Sequence, residues 1–373
     1  MRLLDHFKDH FFIVYLDIAH NLDRDDFTQV DLLYLIGGAV YRVAEEAALD
    51  PNPQGIQALS TAVSTLVRRK RETLKDESLD LVELVKGIIC FGAQALGSEL
   101  GGRLAKALLQ PASISTGVSE EIAYTQETKP DVQRVIDSVN RIIADVETKS
   151  SDGPLLLVVD GLDKIENMTL ADRLFVHSRA LLGPLCSALY TAPMSLYRSF
   201  PRLAQEFSGS MRHVANVRLL PKDASMPESD QALADNLGLM QEVVRRRLAQ
   251  VSGTEGLIED VDLRSLILKS GGVVRWLVRL FHDACGAAQI ADANRITPEA
   301  VQEAMRQNAQ GFLAGRTVEA REELRRVRRE KRPSESELSR RLVQEQFVLA
   351  YDGGDLWYDV HPLIWDALGD GMD

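Results

Sequence analysis

The stretch Leu155-Leu156-Leu157-Val158-Val159-Asp160-Gly161-Leu162-Asp163-Lys164, preceded by Gly153 and Pro154, decides how this chain reads. Five consecutive aliphatic residues ending in an acid predict a short strand buried on both faces, as in a parallel sheet flanked by helices. Asp160 and Asp163 then fall at the carboxyl edge of that strand. This is where α/β sheets bind ligands, and where carboxylates could hold a magnesium ion on nucleotide phosphates. The usual companion of such an acid is a glycine-rich loop ending in Gly-Lys-Ser/Thr, whose backbone N–H groups wrap the phosphates. No such loop occurs in the sequence.

At 373 residues the chain exceeds the roughly 250 to 300 residues at which single cores stop growing, so two or three domains are expected. Hydrophobic residues at 45% and charged residues at 26% are the balance of an ordinary globular protein. The net charge of −12 gives no overall attraction to nucleic acid or anionic lipid, so either would need a local basic patch. Cys90, Cys186 and Cys285 stand far apart with no CxxC pair, which suggests neither a zinc site nor a disulfide framework and makes a reducing cytoplasm the expected setting. The opening MRLLDHFKDH is charged throughout and does not read as a signal peptide. Leu79 to Leu109 is the most membrane-like segment. Glu83, Lys86, Glu99 and Arg103 interrupt it, short of the about 20 apolar residues that a span needs. It reads as a buried helix pair, and no membrane partner is expected.

Along the chain, MRLLDHF is compatible with a helix and Phe11 to Ile18, FFIVYLDI, with a strand carrying Asp17 near its end. From Asp25 to about Ile143 the pattern is mostly helical, with Pro111 to Pro130 as a loop. Val132, Val135, Ile136, Val139, Ile142, Ile143 and Val146 form one face of a helix that leads into the Asp160 strand, a stripe that reads as core packing. Beyond it, Leu170 to Leu182 reads as a helix, Ser187 to Leu196 as a third strand with a polar break at Thr191, and Val214 to Leu220 as a fourth. Helices and strands thus alternate as a parallel sheet requires. The segment PKDASMPESD marks a boundary. Helices are predicted over Ala232–Gln250, Leu263–Lys269, Val273–Ala287 and Pro298–Gln310. Arg316 to Arg341, arginine-rich with interspersed glutamates, predicts a solvated helix rather than a nucleic-acid stripe. The end of the chain, Phe347–Ala350, then Asp352-Gly353-Gly354-Asp355, then Leu356–Val360, is a hairpin pattern following a helix, which fits a small winged-helix unit.

Taken together, the VVDGLDK strand, the Thr191 strand, the strand ending LLP and the later SGGVVRWL resemble the AAA+-like NTPases called STAND, closest to those with a lid and winged helix like replication-initiator ATPases. The resemblance implies an α/β fold: a parallel-sheet P-loop NTPase core over 1–222, a helical lid over 223–312 and a winged-helix-like domain over 313–373. It also implies that the sequence begins just after the phosphate-binding loop, with MRLLDHFKDH as the back half of the helix that follows that loop. It implies ATP and Mg2+ as cofactors, with Asp160 as the magnesium-associated Walker B acid. Asp163 would polarise the attacking water, because Gly161 occupies the place where many AAA+ proteins carry glutamate. Thr191 corresponds to the sensor 1 polar residue and Arg275 to the sensor 2 arginine that reaches the phosphates. Arg198, Arg202 and Arg212 fall where such families supply an arginine finger to a neighbouring subunit.

Three classes of function follow. The leading one is an NTPase-type switch, with a protein partner or homo-oligomer as the assembly it controls. The second is a nucleotide-independent binding module using the C-terminal winged helix, for protein in preference to DNA because DGGDLWYDVHPLIWDALGDGMD is acidic. A metal-dependent hydrolase comes third, without an HExxH motif or nucleophile elbow to support it. Trp357, Tyr358, His361 and Pro362 read as a hairpin packed on its own helix, and His361 has no Cys or His at ligand spacing.

Overall fold

The computed structural model describes residues 4–18, 27–73, 129–208, 210–222, 231–251, 253 and 255–369. The expected helix pair Leu79–Leu109, Cys90 and nearly all of the loop Pro111–Pro130 lie outside them, as does the boundary segment after Lys222. The chain divides into two units, Met1–Ser210 and Met211–Asp373. Both are mixed in their secondary structure: the first holds a small parallel sheet and the second a separate antiparallel hairpin among helices. None of the described helices is long and apolar enough to cross a membrane.

In the N-terminal unit a single 3-10 turn, Leu4–Phe7, precedes β1 (Phe12–Asp17). Then come α1 (Gln29–Glu46), α2 (Pro53–Thr73), α3 (Lys129–Lys149), β2 (Leu155–Asp160), α4 (Met168–Phe175), β3 (Ser187–Tyr190) and α5 (Phe200–Glu206). The sheet order is β1-β2-β3, all parallel, with Tyr15 opposite Val158 and Asp17 opposite Asp160. Strands added in one direction by right-handed crossovers receive both connections on the same face. The Asn140 side chain of α3 accordingly binds the backbone of Gly183 and Leu185 in the β2–β3 connection. That face is the core: Val14, Leu16, Leu155, Leu157 and Val159 are buried beneath α1 and the apolar stripe of α3, which is buried along its whole length. Thr28 caps α1 reciprocally with Asp31, and the apolar circumference of α1 lets it pack against both α2 and α3, which also pack on each other. A Cβ on Gly37 would stand 2.5 Å from Leu59 Cδ2, so its absence sets how closely α1 and α2 approach.

Three expected elements differ. The third strand stops at Tyr190 and leaves Thr191 just beyond it, because Pro193 lacks an N–H and Met194–Ser199 turns into a 3-10 helix. Leu170–Leu182 contains a helix only to Phe175, then a bend and a short 3-10 turn at Ala180–Leu182. Val214–Leu220 is not a fourth strand of the parallel sheet. It belongs to the C-terminal unit, where Asn216 bridges Tyr351 and its N–H and side-chain amide both donate to the Ala350 carbonyl.

The C-terminal unit contains α6 (Gln231–Leu248), α7 (Asp260–Lys269), α8 (Val274–Ile290), α9 (Pro298–Leu313), α10 (Val318–Glu330), α11 (Glu337–Gln344), β4 (Val348–Asp352), β5 (Leu356–Val360) and a terminal turn of helix, α12 (Trp365–Leu368). The helices expected as a lid and the helix-plus-hairpin expected as a winged helix lie within this one unit. Leu266, Ile267, Leu277, Leu280, Val301 and Leu363 are among its buried core, so the hairpin end and the helices share a core. The arginine-rich stretch is two helices, not one. Lys331 adopts a left-handed conformation after α10, and its Nζ lies 2.6 Å from the buried Asp359 carboxylate on β5. Arg328 stacks 3.5 Å over the Trp365 ring, Arg316 pairs with Glu345, and Arg326 pairs with Glu323. Of these, Lys331 ties the end of α10 to the hairpin and Arg328 ties α10 to the terminal turn, while Arg326 pairs within α10 itself.

Two glycines fix how the segment before α8 meets its neighbours. Gly271 and Gly272 both have positive φ, and Tyr351 Oη donates to the Gly271 carbonyl at 2.9 Å. A Cβ on Gly272 would lie 1.8 Å from the Val217 carbonyl oxygen. Gly272→Ala is therefore expected to destabilise the protein by about 3 kcal/mol or more, from the clash and the left-handed backbone together, read as a lower urea midpoint.

His361 is wholly buried, its ring edge-on to Trp276 and Phe312 at centroid separations of 5.2 and 5.4 Å. Its Nδ1 accepts the Leu363 N–H, and Nε2 has no hydrogen-bond partner among the described residues. Burial pushes its pKa down to about 3, so the folded protein keeps the imidazole neutral while the unfolded chain takes up a proton below pH 6.5. Stability from this group is complete above pH 6.5 and is lost as pH falls toward 3, with a slope approaching about 1.4 kcal/mol per pH unit. Urea titrations across that range should show the slope, and His361→Gln, which keeps an acceptor but does not titrate, should flatten it.

Candidate functional site

At the carboxyl edge of the sheet, β2 delivers Asp160 and then turns sharply. Gly161 has φ +88°, a left-handed conformation, and a 3-10 turn, Leu162–Lys164, follows. Leu162 is fully buried, so the turn is anchored on one side, and Asp163 is left exposed on the other. The Asp163 N–H donates to Thr191 Oγ1 at 3.4 Å, a long bond, while the Thr191 N–H continues the ladder onto the Val159 carbonyl at 3.1 Å. Asp160, Asp163 and Thr191 are thus brought together at one edge from two adjacent strands. A glutamate at position 161, as many AAA+ proteins carry, would have to adopt this left-handed backbone, which disfavours side chains by roughly 1 to 2 kcal/mol.

The Asp160 carboxylate is held on both oxygens. Oδ2 accepts the Tyr15 hydroxyl at 2.8 Å, and Oδ1 accepts the N–H of Gly161 at 2.8 Å. Tyr15 comes from β1, two residues before Asp17 and so on the same face, and Asp17 is the register partner of Asp160, so both acids sit side by side on the face opposite α1 and α3. The hydrogen bond to Asp160 first, then burial and the charges of Asp160 and Asp17, push the Tyr15 pKa up to about 12. Sequence reading did not single out Tyr15. The alternation of FFIVYLD would have placed it on the Asp17 face, but not in register with Asp160.

Among the described residues no group of three or more His, Cys, Asp and Glu side chains has the arrangement of a metal site. That excludes a protein-only cage among them, not a magnesium ion brought by phosphates. Magnesium commonly takes one or two carboxylates, waters and phosphate oxygens, and Asp160, fixed in orientation with lone pairs left on each oxygen, fits that role.

The remaining residues singled out from the sequence lie elsewhere. Arg275 is on the exposed first turn of α8 in the C-terminal unit, with no hydrogen bond or ion pair to any described residue. Arg202 is committed to Glu206 at 3.0 Å and to the Val176 carbonyl at 2.9 Å, a structural use. Arg198 is exposed in the 3-10 turn after β3, and Arg212 lies in the C-terminal unit with its guanidinium on the Met211 carbonyl. Trp357 and Tyr358 are buried in the hairpin, Trp357 against Tyr351 at 4.8 Å between centroids. A groove of about 550 Å³ lies in the C-terminal unit between α7, α9 and α12, but its cations are paired, Lys269 with Asp366 at 2.6 Å and Arg306 with Glu303 at 2.7 Å.

Comparison of the chain with protein-family models, with curated proteins and with solved structures found no match.

The Tyr15–Asp160 bond has a direct optical readout. In a spectrophotometric titration near 295 nm one tyrosine is expected to ionise at about 12, and Asp160→Ala should return it toward 10. An unchanged titration would show that the bond does not form.

Proposed function

We propose that this chain is part of an ATP-binding molecular switch of the STAND or AAA+-like kind. The observation that carries the reading is the convergence of Asp160, Asp163 and Thr191 at the carboxyl edge of a parallel sheet, the two acids following the central strand of the three described and Thr191 its neighbour. Ligands of open α/β sheets bind at this edge. In this reading Asp160 would hold the magnesium of Mg-ATP, and the ion would neutralise charge on the phosphates. Asp163, exposed and tethered through its backbone to Thr191, orients a water. The Thr191 hydroxyl retains its proton to donate to a phosphate oxygen or that water. No P-loop is present in the sequence to supply the backbone cradle, so the reading calls for a phosphate-binding loop from additional polypeptide.

The nucleotide-independent reading stays as the alternative, with protein as the partner. What favours protein over DNA is the use of the arginines: Arg316, Arg326, Arg328 and Arg340 are engaged with glutamate, aspartate or aromatic partners of their own unit.

Isothermal calorimetry with Mg-ATP tests the proposal on the chain as given and on one extended upstream in its gene. The extended protein is expected to bind at micromolar ATP, Asp160→Asn to weaken binding at least about tenfold, and the given chain to bind about 100-fold more weakly or not at all, for want of the cradle. Absence of binding by both would remove the nucleotide reading.

A further inference from the structure

We infer that Tyr15 is a positioning residue for Asp160: its hydroxyl sets the direction in which that acid presents its carboxylate to a divalent cation. The inference rests on the reading of Asp160 as the acid for the magnesium of Mg-ATP. Tyr15 Oη donates to Asp160 Oδ2 at 2.8 Å, and the Gly161 N–H donates to Oδ1 at 2.8 Å. The Gly161 bond is local and comes with the turn. The Tyr15 bond has to be supplied by a side chain from another strand, so a substitution can remove it.

The register calls for a tyrosine at this position. Tyr15 stands opposite Val158, and Asp17 stands opposite Asp160. A donor at position 15 must therefore reach two residues along the sheet and one strand across, roughly 6.6 Å by 4.8 Å between backbones. Serine or threonine is too short for that reach, and phenylalanine spans it without a donor. Val14 and Leu16 on either side turn into the core beneath the helices, whereas Tyr15 is half-buried on the other face. Its hydroxyl thus takes no part in the packing of α1 and α3 on the sheet.

The chemistry calls for a neutral donor. The amide and the phenol bonded to Asp160 fix its two oxygens and leave its negative charge for a cation. A lysine or arginine in the same place would hold the carboxylate and cancel that charge. The phenol also keeps its proton. The Asp160 bond first, then burial and the neighbouring carboxylates, push its pKa up to about 12, so it stays a donor throughout the neutral range. Asp17, as the register partner of Asp160, sets a second acid beside the first, and like charges on paired residues repel. A donor on Asp160 holds its direction against that repulsion. Carboxylates that bind metals are commonly held by such outer hydrogen bonds, and losing one costs about 10- to 100-fold in metal affinity.

Calorimetry on the protein extended upstream, with Mg-ATP and with ATP in excess EDTA, tests this. Tyr15→Phe is expected to weaken Mg-ATP binding about tenfold and to leave metal-free ATP binding within about twofold of the parent, a split that a general loosening of the sheet would not give. In the Asp160→Asn background Tyr15→Phe should cost nothing further, because its effect passes through that carboxylate. Unchanged Mg-ATP affinity in Tyr15→Phe overturns the inference and leaves the nucleotide reading standing. So does an equal loss with and without Mg2+, or a full further loss beside Asp160→Asn. Absence of Mg-ATP binding by the parent removes both. Far-ultraviolet circular dichroism matching the parent shows that a variant has folded, and Tyr15→His, with its shorter ring, supplies the comparison if Tyr15→Phe does not fold. An optical titration of the chain as given adds a readout without nucleotide. The tyrosine ionising at about 12 should vanish in Tyr15→Phe, and its persistence would place the bond on another tyrosine and overturn the inference.

Discussion

Everything in the N-terminal unit depends on the pairing of Leu155–Asp160 with a parallel strand on each side. That pairing satisfies the backbone groups of an entirely apolar run, which could not otherwise be buried. It also fixes the register, and in a sheet a slip of one residue would send every side chain to the other face. Leu155, Leu157 and Val159 point at α1 and α3, so Asp160 must point away from them, at the same face as Tyr15 and Asp17. Placement of the acid is thus a consequence of core packing. The position of Thr191 follows in turn, because the same register that seats Leu189 beside Val158 carries the chain two residues further, to the height of the Gly161 turn.

The C-terminal unit rests on a different constraint, close backbone approach. Gly271 and Gly272 bring the start of α8 against Val217 and Tyr351, and the extended segment before α6 is thereby fastened to both the helices and the hairpin. Polar pairing adds to this where the elements are amphipathic. Burial works against the Glu323 charge, yet hydrogen bonds from Arg326 and from the Ser334 N–H outweigh it and hold the carboxyl at about 2. Asp359 is the contrary case. Burial raises its pKa despite Lys331 and Arg328, so the buried pair is a locating device more than a source of stability.

The sequence was legible where periodicity and burial agree. The stripe from Val132 to Val146, the run Leu155–Val159 and the hairpin about Gly353-Gly354 each carry their period openly, and each forms as read. Val214–Leu220 reads as a strand because it is apolar and closed by Pro221, but an extended run does not say which edge it will meet, and here it meets a hairpin. The break after α10 was hidden because Lys331 takes a left-handed backbone that glycine usually supplies. Tyr15 escaped for a different reason: it is separated from Asp160 by 145 residues, and only the register joins them. Asp160, Asp163 and Thr191 could be named from motif order, while the hydrogen bonds that hold two of them could not.

Those hydrogen bonds decide what the edge has left to offer a ligand. Asp160 has given one lone pair on each oxygen to Tyr15 and Gly161 and keeps others, so it remains an acceptor for the waters of a cation but has lost the freedom to rotate toward one. Thr191 has spent one lone pair on Asp163 and keeps its proton. The Asp163 carboxylate is exposed on a turn whose backbone is pinned. The edge therefore combines an acid held on both oxygens, a hydroxyl and an exposed acid. The left-handed turn at Gly161 spends its N–H on Asp160 itself, so that N–H is not available to a further acceptor.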